Sequence, residues 1–276
     1  MHCLARSLRA LIFVLFGAAL AAPLAHADII GFGDFSNFTV NVADTGSAPT
    51  VSGGTIHLTS GADESRSIFC DSRQAISAFT ASFTYQELNG NTANGPLGAC
   101  FVIQNSSSGA STVAVNYSGG FQNEGYGDAF DSFNQSAAVS LEGHYGSTTT
   151  TFSGTYTDGG GVGNGSAATS PVSFLSGDPI NVTLNYNGTT LQETLLDTNT
   201  SASYQTSYLI NLPSIVGGST AYVGVTAGNE GAADQYFSNF QFTTIGVPEP
   251  ASVILLGVGA MGLLVNLRRR HVLVKN

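Results

Sequence analysis

The densest group of side chains able to bind a ligand is an acidic, glycine-rich stretch, Glu124-Gly125-Tyr126-Gly127-Asp128-Ala129-Phe130-Asp131. Carboxylates at this density could hold a cation, and with Tyr126 they could form a polar rim that contacts a saccharide. The spacing matches no cation-binding loop that we can assign, so a solvated surface loop is the simpler interpretation. Tyr126 and Asp128 are the candidate ligand-binding residues of this stretch.

No catalytic constellation is recognisable in the chain. Glu142 has no Asp or Glu two or four positions away, whereas retaining glycosidases use two carboxyl groups about 5 Å apart. His57 and His144 belong to no nucleophile motif,. The run Gly159–Gly163 lacks the lysine of a phosphate loop and is predicted to be a flexible surface loop,. We therefore predict no catalytic residue.

Two cysteines, Cys70 and Cys100, remain once an N-terminal segment carrying Cys3 is removed. In an exported protein they predict one disulfide, which would close a loop of about 30 residues and contribute about 3 kcal/mol. A pair of buried thiols is the alternative. Their wide spacing does not indicate a zinc or redox site.

Charged residues make up only 9% of the chain, and their distribution is uneven. Residues 28–247 contain 17 of the 18 carboxylates and only two basic residues, Arg66 and Arg73, so this region has a formal charge of −15. Such a charge disfavours nucleic acid and anionic lipid as partners. With no Trp and 34 Gly, the composition favours an all-β surface protein.

The N-terminus has the pattern of a secretory signal peptide over residues 1–27. Arg6 and Arg9 precede a short apolar run, Ala10–Leu20, and Ala25 and Ala27 supply the small-x-small pattern that signal peptidase reads,. We predict cleavage before Asp28. A retained membrane anchor is the alternative, but the apolar run is short and no stop-transfer pattern follows.

The C-terminus combines three features in a fixed order over residues 247–276. Val247-Pro248-Glu249-Pro250 is followed by the apolar run Ala251–Leu267 and by a basic tail, 268–276, that begins with Arg268, Arg269 and Arg270. This run of 17 residues makes a helix of roughly 25 Å, near the lower limit for spanning a bilayer. The arginines are expected to stay in the cytoplasm. A buried core helix is the alternative, and the adjacent arginines argue against it.

This tail resembles the PEP-CTERM sorting signal of Gram-negative bacteria, with Pro248, Glu249 and Pro250 as the motif. The resemblance implies processing by an exosortase after insertion in the inner membrane, and an association with extracellular polysaccharide or biofilm. Two prolines keep the segment extended and outside the following helix, which leaves it accessible to an enzyme.

Residues 28–246 are predicted to form one all-β antiparallel domain, because short alternating or β-branched segments are separated by Gly, Asn and Ser. The clearest hairpin joins Ile180–Tyr186 to Thr189–Leu195 through Asn187-Gly188, which predicts a type I′ turn,. The predicted strands are Phe38–Val42, Thr55–Thr59, Phe79–Tyr85, Cys100–Gln104, Thr112–Tyr117, Ala137–Leu141, Thr149–Tyr156, Ile180–Tyr186, Thr190–Leu196, Ser203–Ile210, Ala221–Thr226 and Phe237–Phe242.

The order of short motifs in this body resembles the L-type (legume-type) lectin domain of the concanavalin A-like superfamily, which implies a jelly-roll β-sandwich. The matching stretches are Phe35–Phe38, Gly54–Thr59, Ser65–Phe69, Phe79–Tyr85, Gly98–Gln104, Gly119-Gly120, Gly177–Val182, Ala221–Ala227 and Phe240–Phe242.

The same resemblance implies a degenerate ligand site. Family members bind sugar with an Asp where this chain has Leu97 before Gly98, and they bind calcium and manganese through a Glu-x-Asp that aligns with Ser140-Leu141-Glu142. Two further ligand positions fall near Gly146 and Thr151. A hard dication requires six to eight oxygens, several of them carboxylate, and only Glu142 remains. We therefore predict no metal site and no cofactor, with Gly119, Gly120 and Glu142 as further candidate ligand residues.

Together these features predict an exported, non-enzymatic, lectin-like protein of the cell surface or extracellular matrix. Signal peptidase and exosortase are its expected processing enzymes, and extracellular polysaccharide is its expected partner. A purely structural matrix protein without sugar binding is the main alternative, and a glycoside hydrolase is the weakest.

Overall fold

The computed structural model describes residues 29–30, 32, 36–43, 46–61, 64–89, 96–112, 135–142, 152–157, 161–162, 167–229 and 233–245. The chain divides into two units, Met1–Ile245 and Gly246–Asn276, and all described residues belong to the first. The predicted signal peptide, sorting motif, membrane helix and basic tail lie outside the described residues, so the boundaries of these segments remain predictions. Among the described residues, no helix is long and apolar enough to span a bilayer.

The described part of the body is built almost wholly from strands. One α-helical turn, Leu212–Ile215, and two 3-10 turns, Gly109–Ser111 and Phe174–Ser176, accompany them. The strands are β1 (Ile29–Ile30), β2 (Phe38–Val42), β3 (Thr50–Ser52), β4 (Thr55–Thr59), β5 (Glu64–Cys70), β6 (Gln74–Ala75), β7 (Phe79–Leu88), β8 (Pro96–Gln104), β9 (Ser136–Glu142), β10 (Phe152–Thr157), β11 (Gly161–Val162), β12 (Ala167–Ala168), β13 (Ile180–Tyr186), β14 (Thr190–Asp197), β15 (Ser203–Leu209), β16 (Thr220–Asn229) and β17 (Asp234–Thr244).

These strands form two antiparallel sheets. The back sheet has the order β15-β14-β13-β7-β17-β4-β3, with β1 paired to β17. The front sheet has the order β11-β10-β9-β8-β16-β5-β2, with β12 paired to β10 and β6 to β16. The inward side chains of both sheets share one core. The predicted all-β antiparallel sandwich is therefore confirmed.

Alternation along the strands of the back sheet explains how its inner face is buried. In β7 every second residue from Phe79 to Glu87 is buried, and in β13 the buried positions are Ile180, Val182, Leu184 and Tyr186. A period of two places all of these side chains on one face. The same strands expose Ser, Thr, Asn and Gln on the other face, as the sequence pattern predicts.

The front sheet is buried on both faces along its central strands. Every residue of β5 is buried. At Gly224 on β16, a Cβ atom would overlap the Ile68 carbonyl oxygen and lie 2.6 Å from the Phe69 ring, so only glycine fits there. The residues of a second apolar cluster, separate from the main core, are Phe69, Cys100, Val102 and Ala138.

The hairpin between β13 and β14 differs from its prediction in the turn. The main-chain N–H of Asn187 donates to Thr190 O at 3.2 Å, so Gly188 and Thr189 are the central residues. Gly188 has a φ of 104° and Thr189 does not have a positive φ, which is the pattern of a type II′ turn. The Asn187 side chain accepts hydrogen bonds from the N–H groups of Thr189 and Thr190 instead of occupying the turn centre.

Several segments predicted without strands contain them, and β11 and β5 are the two that correct a specific expectation. Gly161 and Val162 pair with Thr157 and Tyr156 as strand β11, so the predicted flexible loop at Gly159–Gly163 includes an edge strand. Strand β5 lies between β2 and β16. The sequence did not predict β5 because its residues 64–67 are polar. Alternation of apolar and polar residues indicates a strand with one solvated face, and β5 has no solvated face,.

Candidate functional site

Most residues of the predicted ligand site lie outside the described part of the chain. This applies to Gly119, Gly120, Tyr126 and Asp128, and also to Ala25 and Ala27 of the signal peptide and to the sorting residues Pro248, Glu249, Pro250, Arg268, Arg269 and Arg270. Glu142 is the last residue of β9. These assignments remain predictions.

The strands that would support the predicted site meet at one end of the front sheet. The pairing of β8 with β9 ends with Ala99 opposite Leu141, so Gly98 and Glu142 come next at the strand ends. Gly98 also pairs with Gly228 on β16 and has a φ of 108°. We call this end of the front sheet, marked by Gly98, Glu142 and Gly228, the site end.

A row of small, uncharged side chains crosses the outer face of the front sheet beside the site end. The register aligns these residues across five strands, in the order Asn41, Ser67, Thr226, Cys100 and Ser140. Ser140 stands where the resemblance expects a metal-binding Glu, and it is buried. A serine hydroxyl supplies no charge to a dication, so this row cannot replace the missing carboxylate.

Part of this row is covered by the chain itself. Asn41 Nδ2 donates to the carbonyl oxygen of Ala110 at 2.8 Å, and Ser67 Oγ donates to that of Thr112 at 2.7 Å. The 3-10 turn Gly109–Ser111 therefore lies against β2 and β5 and covers Ser67, while Asn41 stays partly exposed. A ligand would have to bind elsewhere on this sheet.

The interior beneath the site end holds an ion pair. Arg66 is 0% exposed, and its Nη2 lies 3.1 Å from Glu64 Oε1. The other Glu64 oxygen accepts the main-chain N–H groups of Ser60 and Gly61. Burial lowers the pKa of Arg66. The Arg66 guanidinium is thus paired with Glu64 inside the protein. Arg73 is exposed, and its guanidinium carbon lies 5.3 Å from the Tyr222 ring centroid.

A second polar group joins the two sheets near the same end. Tyr85 Oη donates to Glu87 Oε2 at 3.2 Å and lies 3.2 Å from Gln235 Oε1, while Gln235 Nε2 donates to Gly228 O. Burial raises the pKa of Glu87 to about 8. The carboxyl is therefore protonated near neutral pH. Gln235 holds the Gly228 carbonyl from inside, and Glu87, which is 3% exposed, is not available as a catalytic base on the surface.

A third buried group lies at the edge of the sandwich formed by β10, β14 and β15. Ser153 Oγ and Tyr208 Oη both donate to Glu193 Oε2, at 2.5 and 2.9 Å. Burial raises the pKa of Glu193 to about 7, and the two hydroxyl donors limit the rise. Because Glu193 is 0% exposed, it has no path to a substrate.

His57 has an acidic partner that the sequence did not predict. Its Nε2 lies 2.7 Å from Asp234 Oδ1, and the other oxygen of Asp234 accepts from Asn89 Nδ2 at 2.6 Å. The imidazole stacks on Tyr236, with ring centroids 4.2 Å apart. Residues 57 and 234 are 177 positions apart, so no local motif could reveal this pair.

The described regions contain a small apolar cavity and no candidate metal cluster. No group of three or more His, Cys, Asp or Glu there is arranged to hold a metal ion. One small apolar cavity of about 10 Å³ lies in the interior, which is close to the space of one water molecule. Its lining includes Phe101, Ile103, Leu191 and Ile210.

The predicted Cys70–Cys100 disulfide is wrong. Cys70 on β5 points into the core between the sheets, whereas Cys100 on β8 belongs to the cluster on the outer face of the front sheet. Strand β16 lies between β5 and β8, which separates them by about 10 Å, whereas a disulfide requires Cα atoms within about 7 Å. The two residues are separate buried thiols.

Comparisons with known proteins find a sequence motif in the tail and a fold similarity in the body. Residues 246–270 match the PEP-CTERM protein-sorting motif. No curated protein matches the chain by sequence.

The body is similar to solved legume lectins. One is the lectin from Bauhinia forficata in complex with GalNAc, with a TM-score of 0.64, 12% identity, and coverage of 80% of this chain and 100% of that one. The metal-free form of lectin I-B4 from Griffonia simplicifolia has a TM-score of 0.62 and 14% identity, over 78% of this chain and 98% of that one. Arcelin-5, a lectin-like defense protein from Phaseolus vulgaris, has a TM-score of 0.58 and 13% identity, over 80% of this chain and 99% of that one. The chain therefore carries a PEP-CTERM protein-sorting motif at the C-terminal end of a β-sandwich with the legume lectin fold.

Proposed function

We propose that this protein is exported across the inner membrane of a Gram-negative bacterium, processed by an exosortase, and associated outside the cell with polysaccharide through its lectin-like body. The observation that carries this proposal is the PEP-CTERM motif at residues 246–270, directly after a body with a lectin fold. The motif indicates export and sorting to the cell envelope. The polysaccharide association is the further step.

The order of processing follows from the chemistry of the two ends. Signal peptidase is expected to cleave after Ala27, while the apolar run 251–267 holds the chain in the inner membrane. The exosortase then acts at Pro248-Glu249-Pro250, where two prolines prevent the segment from joining the following helix,. The motif is thus a substrate, and the body contributes no catalytic residue to the proposal.

The sorting step is tested by replacing Pro248, Glu249 and Pro250 with alanine. Export is expected to be intact, because the signal peptide acts separately, while the unprocessed form accumulates in the inner membrane. Fractionation and immunoblotting measure both forms, and Thr244→Ala, just before the motif, is the matched control. Normal processing of the triple variant would remove the exosortase assignment.

The proposed saccharide binding is weak for simple sugars and independent of calcium. Leu97 and Ser140 stand where the resemblance expects acidic ligands. Each missing hydrogen bond to a charged group lowers affinity by about tenfold or more. The metal-free Griffonia lectin has a comparable fold, which supports a body that keeps its shape without an ion. Useful affinity then comes from repeated contacts along a polymer.

Calorimetry of the exported protein with GalNAc, with and without EDTA, tests this part of the proposal. We expect a dissociation constant of about 1 mM or weaker, unchanged by EDTA. A micromolar constant abolished by EDTA would contradict it and would indicate that Asp128 and Asp131 form a replacement metal site.

A purely structural matrix protein is the second candidate function. The buried row that ends in Ser140 favours it, since the position has lost its charge and lies within the sheet packing. A glycan array probed with the exported protein separates the two functions, because a structural protein gives no signal with or without calcium. Release of reducing sugar from any polymer on the array would instead support a glycoside hydrolase.

A further inference from the structure

The outer face of the back sheet carries no charged side chain across four neighbouring strands. On β7, β13, β14 and β15, every outward position is Ser, Thr, Asn, Gln or Leu, and all of them are partly or fully exposed. We call this surface the neutral face. Its outward residues are Thr80, Ser82, Thr84, Gln86, Leu88, Asn181, Thr183, Asn185, Thr190, Gln192, Thr194, Leu196, Ser203, Gln205, Ser207 and Leu209.

The carboxyl groups of these same strands are directed away from the neutral face. Glu87 on β7 and Glu193 on β14 point inward and are 3% and 0% exposed. Asp197, at the end of β14, accepts the main-chain N–H groups of Asn199 and Thr200. Glu87 and Glu193 share their inward face with the apolar residues of the same strands, so the alternation that buries the core also keeps these carboxyls off the neutral face,.

Cross-strand hydrogen bonds order the polar groups of the neutral face. Thr84 Oγ1 donates to Asn181 Oδ1 at 2.8 Å, and Thr80 Oγ1 donates to Asn185 Oδ1 at 2.8 Å. Within the described residues, the Nδ2 groups of Asn181 and Asn185 make no hydrogen bond. Donors with fixed rotamers lose little conformational entropy when they bind a ligand.

The neutral face ends at an aromatic pair. Tyr236 on β17 lies opposite Gln86, and His57 on β4 stacks on the Tyr236 ring. Asp234, which lies beside this pair, is bonded to His57 and Asn89. Aromatic rings beside uncharged donors form a surface on which sugar rings can stack and hydrogen-bond.

We propose that the neutral face is a second saccharide-binding surface, which takes a neutral, hydroxyl-rich polysaccharide. Outward side chains repeat at about 4.8 Å across strands and about 6.8 Å along them, the scale of a sugar ring. The inference rests on the proposed function for the presence of such a polymer. It places this second contact on the back sheet, separate from the predicted site of the front sheet.

The charge and apolar content of the neutral face favour a neutral polymer over other occupants. The body's charge of −15 over residues 28–247 repels an anionic polymer and a second copy of the chain,. A second copy would also bury few apolar side chains, since only Leu196 and Leu209, 39% and 78% exposed, are large exposed hydrophobic residues on this face. Stable protein interfaces have an apolar core.

The test is affinity electrophoresis of the exported protein in native gels containing dextran, hydroxyethyl cellulose or galactomannan, with alginate as the anionic polymer. The test variant combines Thr183→Val and Thr194→Val, which removes two hydroxyls and keeps shape and strand propensity. The matched control is Thr206→Val, which changes an inward position on neighbouring β15. Circular dichroism verifies that all variants fold.

We expect at least one neutral polymer to retard the wild type, and the double variant to bind it about tenfold more weakly while Thr206→Val binds normally. Equal retardation of the double variant would overturn the inference alone, because the polymer would then bind elsewhere on the protein. Absence of retardation in every polymer would overturn the polysaccharide proposal as well. Self-association that sedimentation detects in the wild type and not in the double variant would assign the face to a second copy instead.

Discussion

The centre of the sandwich interior and its two polar margins are built from different chemistry. At the centre, aromatic rings pack on one another, with Phe83 6.3 Å from Phe101 and 5.7 Å from Phe237 between ring centroids. At the margins, Glu87 and Glu193 are buried with hydroxyl donors. The centre stabilises the fold by non-directional burial at any pH, whereas the margins stabilise it only in one protonation state.

The margin at Glu193 illustrates why the neutral form is favoured. Both hydroxyl donors bind Oε2, while Oε1 is buried without a partner among the described residues. A carboxylate would leave half of its charge unsolvated there. A protonated carboxyl avoids that cost, which explains the raised pKa,.

The largest expected effect belongs to the centre. Phe237→Ala removes a ring that also contacts Tyr85 at 5.2 Å, and we expect a loss of about 3 to 5 kcal/mol in the free energy of unfolding. Tyr236→Ala, one residue away on the outer face, is the control and should cost much less. Denaturant titration at constant pH measures both, and equal losses would contradict the assignment of the core.

The next effect belongs to both margins together. The folded-state pKa values of about 8 for Glu87 and about 7 for Glu193 exceed the ordinary value of 4.5. The contribution of the two carboxyls to the free energy of unfolding is therefore complete below pH 4.5,. It is lost as pH rises to 7 for Glu193 and to 8 for Glu87, because the carboxyls of the unfolded chain release their protons at lower pH,. Each carboxyl lowers stability by about 1.4 kcal/mol per pH unit in that window.

The matched variants for this pH dependence are Glu87→Gln and Glu193→Gln, because an amide has the shape and neutrality of the protonated carboxyl. The wild type should lose free energy of unfolding between pH 5 and pH 8. In either variant this loss should be smaller by several kcal/mol. An unchanged pH dependence in both variants would show that these carboxyls are ionised in the folded protein.

A smaller effect separates the hydroxyl donors from burial. Tyr208→Phe removes one hydrogen bond to Glu193 and should cost about 1 kcal/mol. Because that bond lowers the pKa of Glu193, its loss should raise the pKa further and make the variant's deficit larger at pH 8 than at pH 5. Tyr204→Phe on the same strand is the control, and a deficit independent of pH would contradict the role of Tyr208.

The smallest expected signal is the reactivity of the two thiols. Burial raises the pKa of Cys70 to about 12, and Cys100 is packed under the outer cluster of the front sheet. Neither should be alkylated by iodoacetamide at neutral pH in the folded protein, and both should react in denaturant without reductant. Failure of both to react after unfolding would restore the disulfide.

Local patterns predicted the strands well where one face is buried and the other is solvated. Strands β2, β4 and β13 begin and end at the predicted residues. Strand β5 was missed because both of its faces are buried, so Glu64 and Arg66 look like surface residues in the sequence. A Glu and an Arg two positions apart share one face of a strand, and this spacing was the available signal for their ion pair.

The turn and the cysteines show where local reasoning is insufficient. Asn187-Gly188 indicates a hairpin, but the register of β13 and β14 decides that Gly188 and Thr189 are its central residues. Two cysteines in an exported chain suggest a disulfide, but the parity of β5 and β8 places Cys70 and Cys100 on opposite faces of one sheet. Register and strand order depend on residues far apart in the chain.

The sequence alone determined the all-β class and the sorting motif, because alternation and a contiguous tail are readable from neighbouring residues. The resemblance to L-type lectins also predicts that Leu97 and Ser140 stand in place of acidic ligands, which stays a prediction. Only the tertiary structure decided the pairing of His57 with Asp234, the inward direction of Glu87 and Glu193, and the neutral face opposite them. These features arise where strands distant in sequence lie side by side about 4.8 Å apart, a relation that no local pattern contains.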